Sequence, residues 1–252
     1  MSKYLCLQCR QRPKSSDHTF CSPECGRAAA NYAPNLLWIP PGHVQFENVA
    51  QHWNNGWKKR PAPAIRAMYL VTWDKKTRDD LEKYRREVET QTNYREKGRF
   101  EGNEQKRFWG VDRACGIGEN GVTAMCFKAQ CWLCPALRNG FREYLTEKRN
   151  TGLHGTRLGY GIYTTRTSSK YVDFLALLHV PMPDLTVASE QLATPVVIGN
   201  SYSTKTEQPF WHSPPAGYHS VLGEPGPGSS FRDDELVVYT ERAIRPAYLI
   251  LY

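Results

Sequence analysis

The chain has 252 residues, of which 40% are hydrophobic and 12% aromatic, and this richness in core-forming side chains excludes an intrinsically disordered protein. A chain of this length can bury one substantial core together with one small module. Lys and Arg outnumber Asp and Glu by 33 to 25, so the formal net charge of +8 favours anionic partners such as a dinucleotide or a nucleic acid.

The start of the chain and its hydropathy bear on where the protein resides. The first residues, MSKYLCLQCRQ, lack an apolar signal region, and no apolar run approaches the roughly 18 residues that span a bilayer. We therefore expect a soluble intracellular protein of the cytoplasm or nucleus. In such a reducing compartment, eight cysteines favour metal binding over a disulfide framework.

Four cysteines near the N-terminus have the spacing of a zinc site. They form a C-x2-C pair and, eleven residues later, a C-x3-C pair: Cys6, Cys9, Cys21 and Cys25. Two short turns with this spacing can present four thiolates to one tetrahedral Zn²⁺. His18 could replace one thiol as a ligand. Because four cysteines suffice, we interpret His18 instead as a side chain that neighbours the site or is solvated.

The first 44 residues are predicted to be this cysteine-rich module followed by a Pro-rich linker, YAPNLLWIPPGH. A helix is then predicted, because four large apolar residues recur at spacings of three and four: Phe46, Val49, Trp53 and Trp57. Pro61 and Pro63 cannot continue such a helix. The apolar run AIRAMYLVTW predicts a strand, and residues 77–98 predict a highly charged helix.

A second group of four cysteines follows the predicted strand KRFWGVDR: Cys115, Cys126, Cys131 and Cys134. The last two again form a C-x2-C pair, and the Gly-rich loop before them is flexible enough to wrap an ion. We predict a second structural zinc here, with the alternative that Cys115 or Cys126 packs as a small hydrophobic residue. A helix, NGFREYLTEKR, is expected to begin inside this group.

The second half of the chain has the pattern of short strands separated by loops rich in Pro and Gly. The predicted strands are LGYGIYTT, FLALLHVPM, TPVVIG, ELVVYTE and AYLILY. Together with the helices, they predict an α+β fold built on antiparallel sheets. The fingerprints of Rossmann and P-loop nucleotide sites are absent from the sequence.

Several strings resemble the catalytic domain of poly(ADP-ribose) polymerases (PARPs), and specifically the fungal PARP-like ADP-ribosyltransferases: GYGIYTTRTSSKYVDF, PPAGYHSVLGEPG, DELVVY and AIRPAYLILY. The resemblance covers about residues 45–252, and the fungal group also resembles this chain in both cysteine groups. It implies a split antiparallel β-sandwich with flanking helices, a small N-terminal zinc module (1–44) and a four-cysteine zinc site (115–134) inserted in the catalytic domain. It also implies that NAD⁺ binds in a cleft between the sheets.

The resemblance implies roles for individual residues around that cleft. Glu235, in DELVVY, and Tyr163, in GIY, match the Glu and Tyr of the family's catalytic triad. Phe174 stands where the family has a Tyr that stacks on nicotinamide, a change that keeps an aromatic face. Ser169 and Lys170 match the family's cleft residues, whereas Tyr171 departs from the small residue that usually follows the lysine.

The family's first motif, H-G-T-R or H-G-S-R, is replaced here by WGVD, residues 109–112. Trp109 stands in place of the triad histidine, and Gly110 is the position whose backbone would clamp the carboxamide of nicotinamide. An HGTR string does occur at residues 154–157, in the loop that borders the donor site in relatives. We hypothesise that His154 or Arg157 reaches the donor's phosphates or adenosine ribose, the alternative for His154 being a solvent-exposed loop residue.

The activity implied is cleavage of NAD⁺ at the nicotinamide glycosidic bond, with NAD⁺ as substrate and a single ADP-ribose unit transferred. The acceptor is a protein, a nucleic acid or a small molecule, and no motif selects among them. Other interpretations of the same sequence are a catalytically silent module that binds NAD⁺ or ADP-ribose, a zinc-dependent interaction protein, and an NAD⁺ glycohydrolase.

Overall fold

A computed structural model describes residues 3–15, 18–58, 61–111, 113–142, 144–145, 157–170 and 190–252. The described helices are α1 (Pro23–Asn31), α2 (Val44–Gly56), α3 (Lys75–Thr92) and α4 (Leu133–Asn139). The described strands are β1 (Asn35–Trp38), β2 (Ala67–Thr72), β3 (Glu104–Val111), β4 (Ile162–Thr164), β5 (Glu190–Val197), β6 (Ser201–Thr204), β7 (Ser220–Gly223), β8 (Glu235–Val238) and β9 (Tyr248–Leu251). None of these helices is both long and apolar enough to cross a membrane.

The strands form two sheets. The larger has the order β1-β2-β9-β5-β3 and is antiparallel throughout. The smaller has the order β4-β8-β7-β6, in which only β6 and β7 run parallel. The prediction of a mixed α+β fold with antiparallel sheets is confirmed.

The two sheets meet where β3 approaches the end of β4. Phe108 and Thr165 exchange both backbone hydrogen bonds, at 2.8 and 3.0 Å between N and O. This bridge is isolated, so the ladder between β3 and β4 does not extend along the strands. We call this point the sheet junction.

Three apolar clusters follow from the alternation of side chains along the strands. One face of the larger sheet packs against α2, with Met68 and Ile250 against Trp53. Its other face meets the smaller sheet in a core that contains Leu236 and Leu249. The opposite face of the smaller sheet carries a third cluster, which includes Val221, Phe231 and Val237. Both faces of the smaller sheet are therefore covered, which explains the continuous apolar run in ELVVY.

The helices mostly confirm the sequence patterns. Helix α2 presents Val49 and Trp53 to the core as expected. Helix α3 begins after Asp74, whose side chain accepts from the Thr77 backbone N–H at 2.7 Å, and it ends six residues earlier than predicted. Asn93 ends α3 because its φ of 50° lies in the left-handed region, which an α-helix cannot continue.

The helix expected from residue 139 has a different start. Helix α4 begins at Leu133, inside the second cysteine group, and Gly140 ends it with a φ of 67°. Residues 142, 144 and 145 beyond this glycine are helical as predicted, and residues 146–149 lie outside the described part of the chain.

The prediction of a linker over residues 32–43 is wrong. Asn35–Trp38 form β1, which pairs with β2 at the edge of the larger sheet. The flanking prolines suggested a linker because Pro terminates regular structure, but four residues between them suffice for an edge strand. Strands β6 and β7 were not predicted, and the predicted strand FLALLHVPM lies outside the described residues.

Candidate functional site

Glu235 is the first residue of β8, next to the sheet junction. Val237 in β8 is paired with Tyr163 in β4. Because side chains two residues apart on a strand share a face, Glu235 lies diagonally across from Tyr163 on the same face of the smaller sheet. The structure thus brings together the two residues that the sequence singles out for catalysis.

The carboxylate of Glu235 is held by Lys170. The Lys170 Nζ donates to Glu235 Oε1 at 2.7 Å and to the Asp234 backbone oxygen at 3.3 Å. The Glu235 side chain is 12% exposed and the Lys170 side chain 26%, so the pair is shielded but not sealed from solvent. Lys170, which the sequence places near the site, therefore contacts Glu235 directly.

Residues 166–170 reach Glu235 because they fold against the end of α2. Ser168 donates its hydroxyl to the Trp53 backbone oxygen at 2.6 Å, and its own N–H donates to the Gly56 oxygen at 3.1 Å. Ser169 Oγ accepts from the Lys58 N–H at 3.2 Å and its side chain is fully buried. Ser169, predicted to bind the donor, is thus engaged in a structural contact that positions Lys170.

Asp234, which precedes Glu235, is the centre of a buried polar network at the sheet junction. Its carboxylate accepts from Arg107 Nη1 at 2.6 Å, from the Thr165 hydroxyl at 2.9 Å and from the Arg166 N–H at 3.0 Å. Burial alone would raise the pKa of Asp234, but the Arg166 N–H and the Arg107 charge outweigh it and lower that pKa. Burial lowers the pKa of Arg107 to about 10.

The hydroxyl of Tyr163 has two backbone partners. It accepts from the Leu158 N–H and donates to the Gly159 oxygen, both at 2.8 Å. Burial raises the pKa of this hydroxyl, so it stays protonated at physiological pH. The hydroxyl therefore orders the loop before β4, which leaves the ring as the part of Tyr163 that a ligand could contact.

Trp109 and Gly110, from the altered first motif, lie in different surroundings. Trp109 is buried in the core between the sheets, with its ring centroid 5.0 Å from that of Phe141. By strand alternation, this side chain points away from the face that carries Glu235. The structure therefore does not bring the Trp109 ring to the other predicted site residues.

Gly110 lies two residues beyond the sheet junction. Because backbone N–H and C=O groups alternate in direction along a strand, those of Gly110 point to the same side of β3 as those of Phe108, which bond Thr165. Continuing that antiparallel register by two residues places Gly110 opposite Tyr163. The isolated bridge means that the ladder does not extend to this pair, so the strands split beside the Glu235 face.

Arg157 fixes one loop to another. Its Nη1 donates to the Ser230 backbone oxygen at 2.8 Å, and its Nε lies 3.5 Å from a Glu207 carboxylate oxygen. Two other predicted site residues, His154 and Phe174, lie outside the described part of the chain, as do Tyr171 and Asp112.

The first cysteine group has the geometry of a tetrahedral metal site. The four Sγ atoms of Cys6, Cys9, Cys21 and Cys25 lie within 4.8 Å of one another. Cys9 and Cys25 lie 3.7 and 3.5 Å from Cys21 Sγ, close to the about 3.8 Å that four Zn–S bonds of about 2.3 Å impose. Backbone N–H groups of Gln11 and Arg12 lower the pKa of Cys9 to about 6, which favours a metal-binding thiolate.

The second group has the same geometry in a more buried setting. Its four Sγ atoms also lie within 4.8 Å of one another, and Cys115 Sγ lies 3.8 Å from Cys131 Sγ and 3.6 Å from Cys134 Sγ. Cys131 and Cys134 are buried in the core between the sheets. Although burial opposes it, the Lys128 backbone N–H and the neighbouring thiols lower the pKa of Cys126 to about 7.

Both groups could hold a metal, and the fit to zinc is good because each offers four thiols at tetrahedral spacing. All eight cysteines are free of disulfides. Four protein ligands fill the coordination sphere of zinc and leave no position for a substrate, so either ion would be structural. His18 is not part of the first group.

Sequence reasoning missed two residues that position the site. Arg107 is only 2% exposed, and nothing in the strand KRFWGVDR distinguishes it from a solvent-facing base. Asp234 stands beside Glu235 in the string DDELVVY. The two Asp residues directly before this apolar strand were the signal that could have identified it. Asp233 also makes a structural contact, because it forms an ion pair with Lys58.

Comparisons with known proteins add no assignment to this site. No family model matches the chain, and no curated protein matches it.

Proposed function

We propose that this protein is a PARP-like ADP-ribosyltransferase with a split β-sandwich fold, which cleaves NAD⁺ at the nicotinamide glycosidic bond and transfers one ADP-ribose unit to an acceptor. The observation that carries the proposal is the position of Glu235 and Tyr163 on one face, beside the point where β3 and β4 split next to Gly110. This arrangement supports the roles that the sequence strings imply.

The nicotinamide end of the donor fits the split between the strands. The Gly110 N–H and C=O, directed toward the split, are complementary to the carboxamide of nicotinamide, which has one acceptor and two donors. The Tyr163 ring offers an aromatic face to the pyridinium, and Phe174 would cover the second face by resemblance to the family. The carboxylate of Glu235 then lies near the ribose that carries the ring.

The chemistry requires that the bond between C1′ of the ribose and the pyridinium nitrogen break, with its electron pair returning to nicotinamide. Positive charge develops on the ribose as in an oxocarbenium ion, and a carboxylate near the 2′-hydroxyl stabilises it. The acceptor's nucleophilic atom then bonds to C1′, and Glu235 takes its proton. General-base assistance of this kind contributes about 10²–10⁴-fold.

The remaining residues support this geometry without touching the reacting atoms. Lys170 fixes the orientation of the Glu235 carboxylate, and Asp234 with Arg107 anchors the start of β8 at the sheet junction. At the adenosine end, Trp109 is buried and gives no polar contact. We assign that end of the donor to His154 or Arg157.

Nicotinamide release from NAD⁺ tests the proposal. The natural chain should release nicotinamide, and Glu235→Gln should lower the rate at least about 100-fold because the carboxylate is lost while the side-chain volume is kept. Glu96→Gln, which makes the same change at an exposed position, is the matched control and should leave the rate unchanged. An unchanged rate in Glu235→Gln would overturn the proposal.

The same assay separates the related activities. A transferase forms ADP-ribosylated acceptor from the ADP-ribose that it removes, whereas a glycohydrolase releases free ADP-ribose in amounts equal to nicotinamide. A silent binding module binds NAD⁺ in a calorimeter and releases no nicotinamide.

We also propose that each cysteine group holds one Zn²⁺. Elemental analysis of the purified protein should find two zinc ions per chain, one for each group. Cys134→Ser and Cys9→Ser should each remove one ion, and Cys134→Ser should be the more destabilising because its group is embedded in the core between the sheets. Full zinc content in either variant would exclude that group as a zinc site.

A further inference from the structure

A hollow of about 400 Å³ lies on the surface beside the second cysteine group. Its walls include Phe127, Lys128, Trp132, Arg138 and Tyr144. Neither Glu235 nor Lys170 lines it, so it is separate from the site proposed for NAD⁺. Helix α4 and the loop before it form most of the wall, and the cysteine group that spans these two segments fixes their relative position.

The hollow presents aromatic faces to solvent. Phe127 is 85% exposed, although the Arg138 guanidinium lies over its ring at 4.2 Å from the centroid. Trp132 is half-buried and stands edge-on to Tyr144, with 6.3 Å between ring centroids. Leaving an exposed Phe beside a partly exposed Trp in contact with water costs free energy, and apolar surfaces of this kind mark contact sites.

The hollow is also positively charged. Two of its described lining residues are charged, Lys128 and Arg138, and both are basic. Arg142 lies 3.6 Å from Glu241. Among the described residues, no carboxylate lies within ion-pair distance of Lys128 or Arg138, which are the two cations at the hollow.

We propose that this hollow binds single-stranded nucleic acid. An unstacked base lies against Phe127 and Trp132, and the adjoining backbone phosphate is contacted by Lys128 and Arg138. Single-stranded sites combine stacking rings with a cationic surface in this way, since every base has a face that can stack. The arrangement of Arg138 over Phe127 adds a cation next to the stacked base.

Charge and shape select this partner over others. A peptide of Asp and Glu would use the cations but has no aromatic ring to stack on Phe127 and Trp132. A duplex keeps its bases stacked internally, so it would also leave Phe127 in water. The hollow has room for a base and part of its sugar, and not for the width of a double helix.

Binding of a fluorescently labelled oligothymidylate of about twelve nucleotides to the zinc-loaded 252-residue chain tests the proposal, with oligouridylate of the same length to compare RNA with DNA. Phe127→Leu should weaken binding about 10-fold or more, and Phe127→Tyr should restore it because a ring is present again. Phe210→Leu, at a similarly exposed position outside the hollow, is the matched control and should bind normally.

Salt dependence tests the phosphate contact separately. Between about 50 and 200 mM salt, Lys128→Gln should lower the slope of log K against log salt by about 0.7, the value for one lost phosphate contact on a single strand. All variants should retain the same zinc content, because Phe127 and Lys128 are exposed and are not ligands.

Three results would each overturn the proposal. These are no binding of either oligonucleotide, unchanged binding by Phe127→Leu, and equally tight binding of a duplex or of polyglutamate. The last would show a general polyanion or acidic-peptide surface. None of these outcomes depends on NAD⁺ or on nicotinamide release.

Discussion

Two adjacent carboxylates at the start of β8 have opposite surroundings. Asp234 faces the sheet junction and accepts hydrogen bonds from a buried guanidinium, a hydroxyl and a backbone N–H. Glu235 faces the other way and is contacted by Lys170. A carboxylate whose oxygens are surrounded by fixed donors serves the fold, whereas one with remaining acceptor capacity is available to a ligand.

The difference arises from the alternation of side chains where the strand begins. Asp234 precedes β8 and its side chain lies against Arg107 in β3, which joins the two sheets. Glu235 is one residue further and so projects from the opposite side. One residue of register thus separates a structural carboxylate from the proposed catalytic carboxylate.

The largest expected effect is on stability, from removing Asp234. Asp234→Ala should lower the free energy of unfolding by about 3–5 kcal/mol, because it leaves the Arg107 charge buried without its partner. Urea unfolding of the zinc-loaded protein measures this. The matched control is Asp79→Ala in the exposed part of α3, where the expected loss is below about 1 kcal/mol. A loss as small as that of the control would mean that Arg107 does not need Asp234.

A smaller effect is expected from Thr165, which donates to the same carboxylate. Thr165→Val keeps the shape but removes the hydrogen bond to the charged Asp234 carboxylate and the one accepted from the Thr167 N–H, which together cost about 2 kcal/mol. Combining it with Asp234→Ala in a double-mutant cycle should give less than the sum, because both changes remove the same contact. Additive losses would show that Thr165 acts independently of Asp234.

The elements of this region could be predicted from the sequence, but their contacts could not. Alternating or continuous apolar residues identified β2, β8 and β9, and the strings around Tyr163 and Glu235 singled out these two residues, whose shared face follows from the strand register. The Arg107–Asp234 contact joins residues 127 positions apart, and no local pattern reports a pairing over that distance. The burial of Ser169 under Lys58 likewise depends on residues far apart in the chain.

Short strands escaped prediction for a related reason. β6 has the sequence SYST and is largely polar, so its hydrogen bonds to β7 and not its side chains define it. β1 is four residues long between prolines, and its pairing with β2 decides its conformation. In both strands the tertiary partner overrides a weak local preference.

The loss of stability in acid should show that the Asp234 carboxylate stabilises the fold. The pKa of Asp234 in the folded protein lies below its ordinary value of 3.8, so its stabilising contribution is fully present above that value and is lost as pH falls through the folded pKa. As pH falls below 3.8, the natural chain should therefore lose more stability than Asp234→Asn. Measuring the zinc content of both proteins at each pH shows whether the difference between them reports Asp234 alone. Parallel loss in the two proteins would contradict the assignment.

The smallest effect on stability is expected at Glu235, where the largest effect on the proposed activity lies. Glu235→Gln removes one partly exposed ion pair with Lys170 and should change the free energy of unfolding by less than about 1 kcal/mol. Urea unfolding of Glu235→Gln and Asp234→Ala, measured side by side, tests this contrast. If Glu235→Gln were as destabilising as Asp234→Ala, Glu235 would be a second structural acid, and its loss of activity would then report unfolding. A stable Glu235→Gln protein that no longer releases nicotinamide would assign the two adjacent carboxylates to two separate tasks.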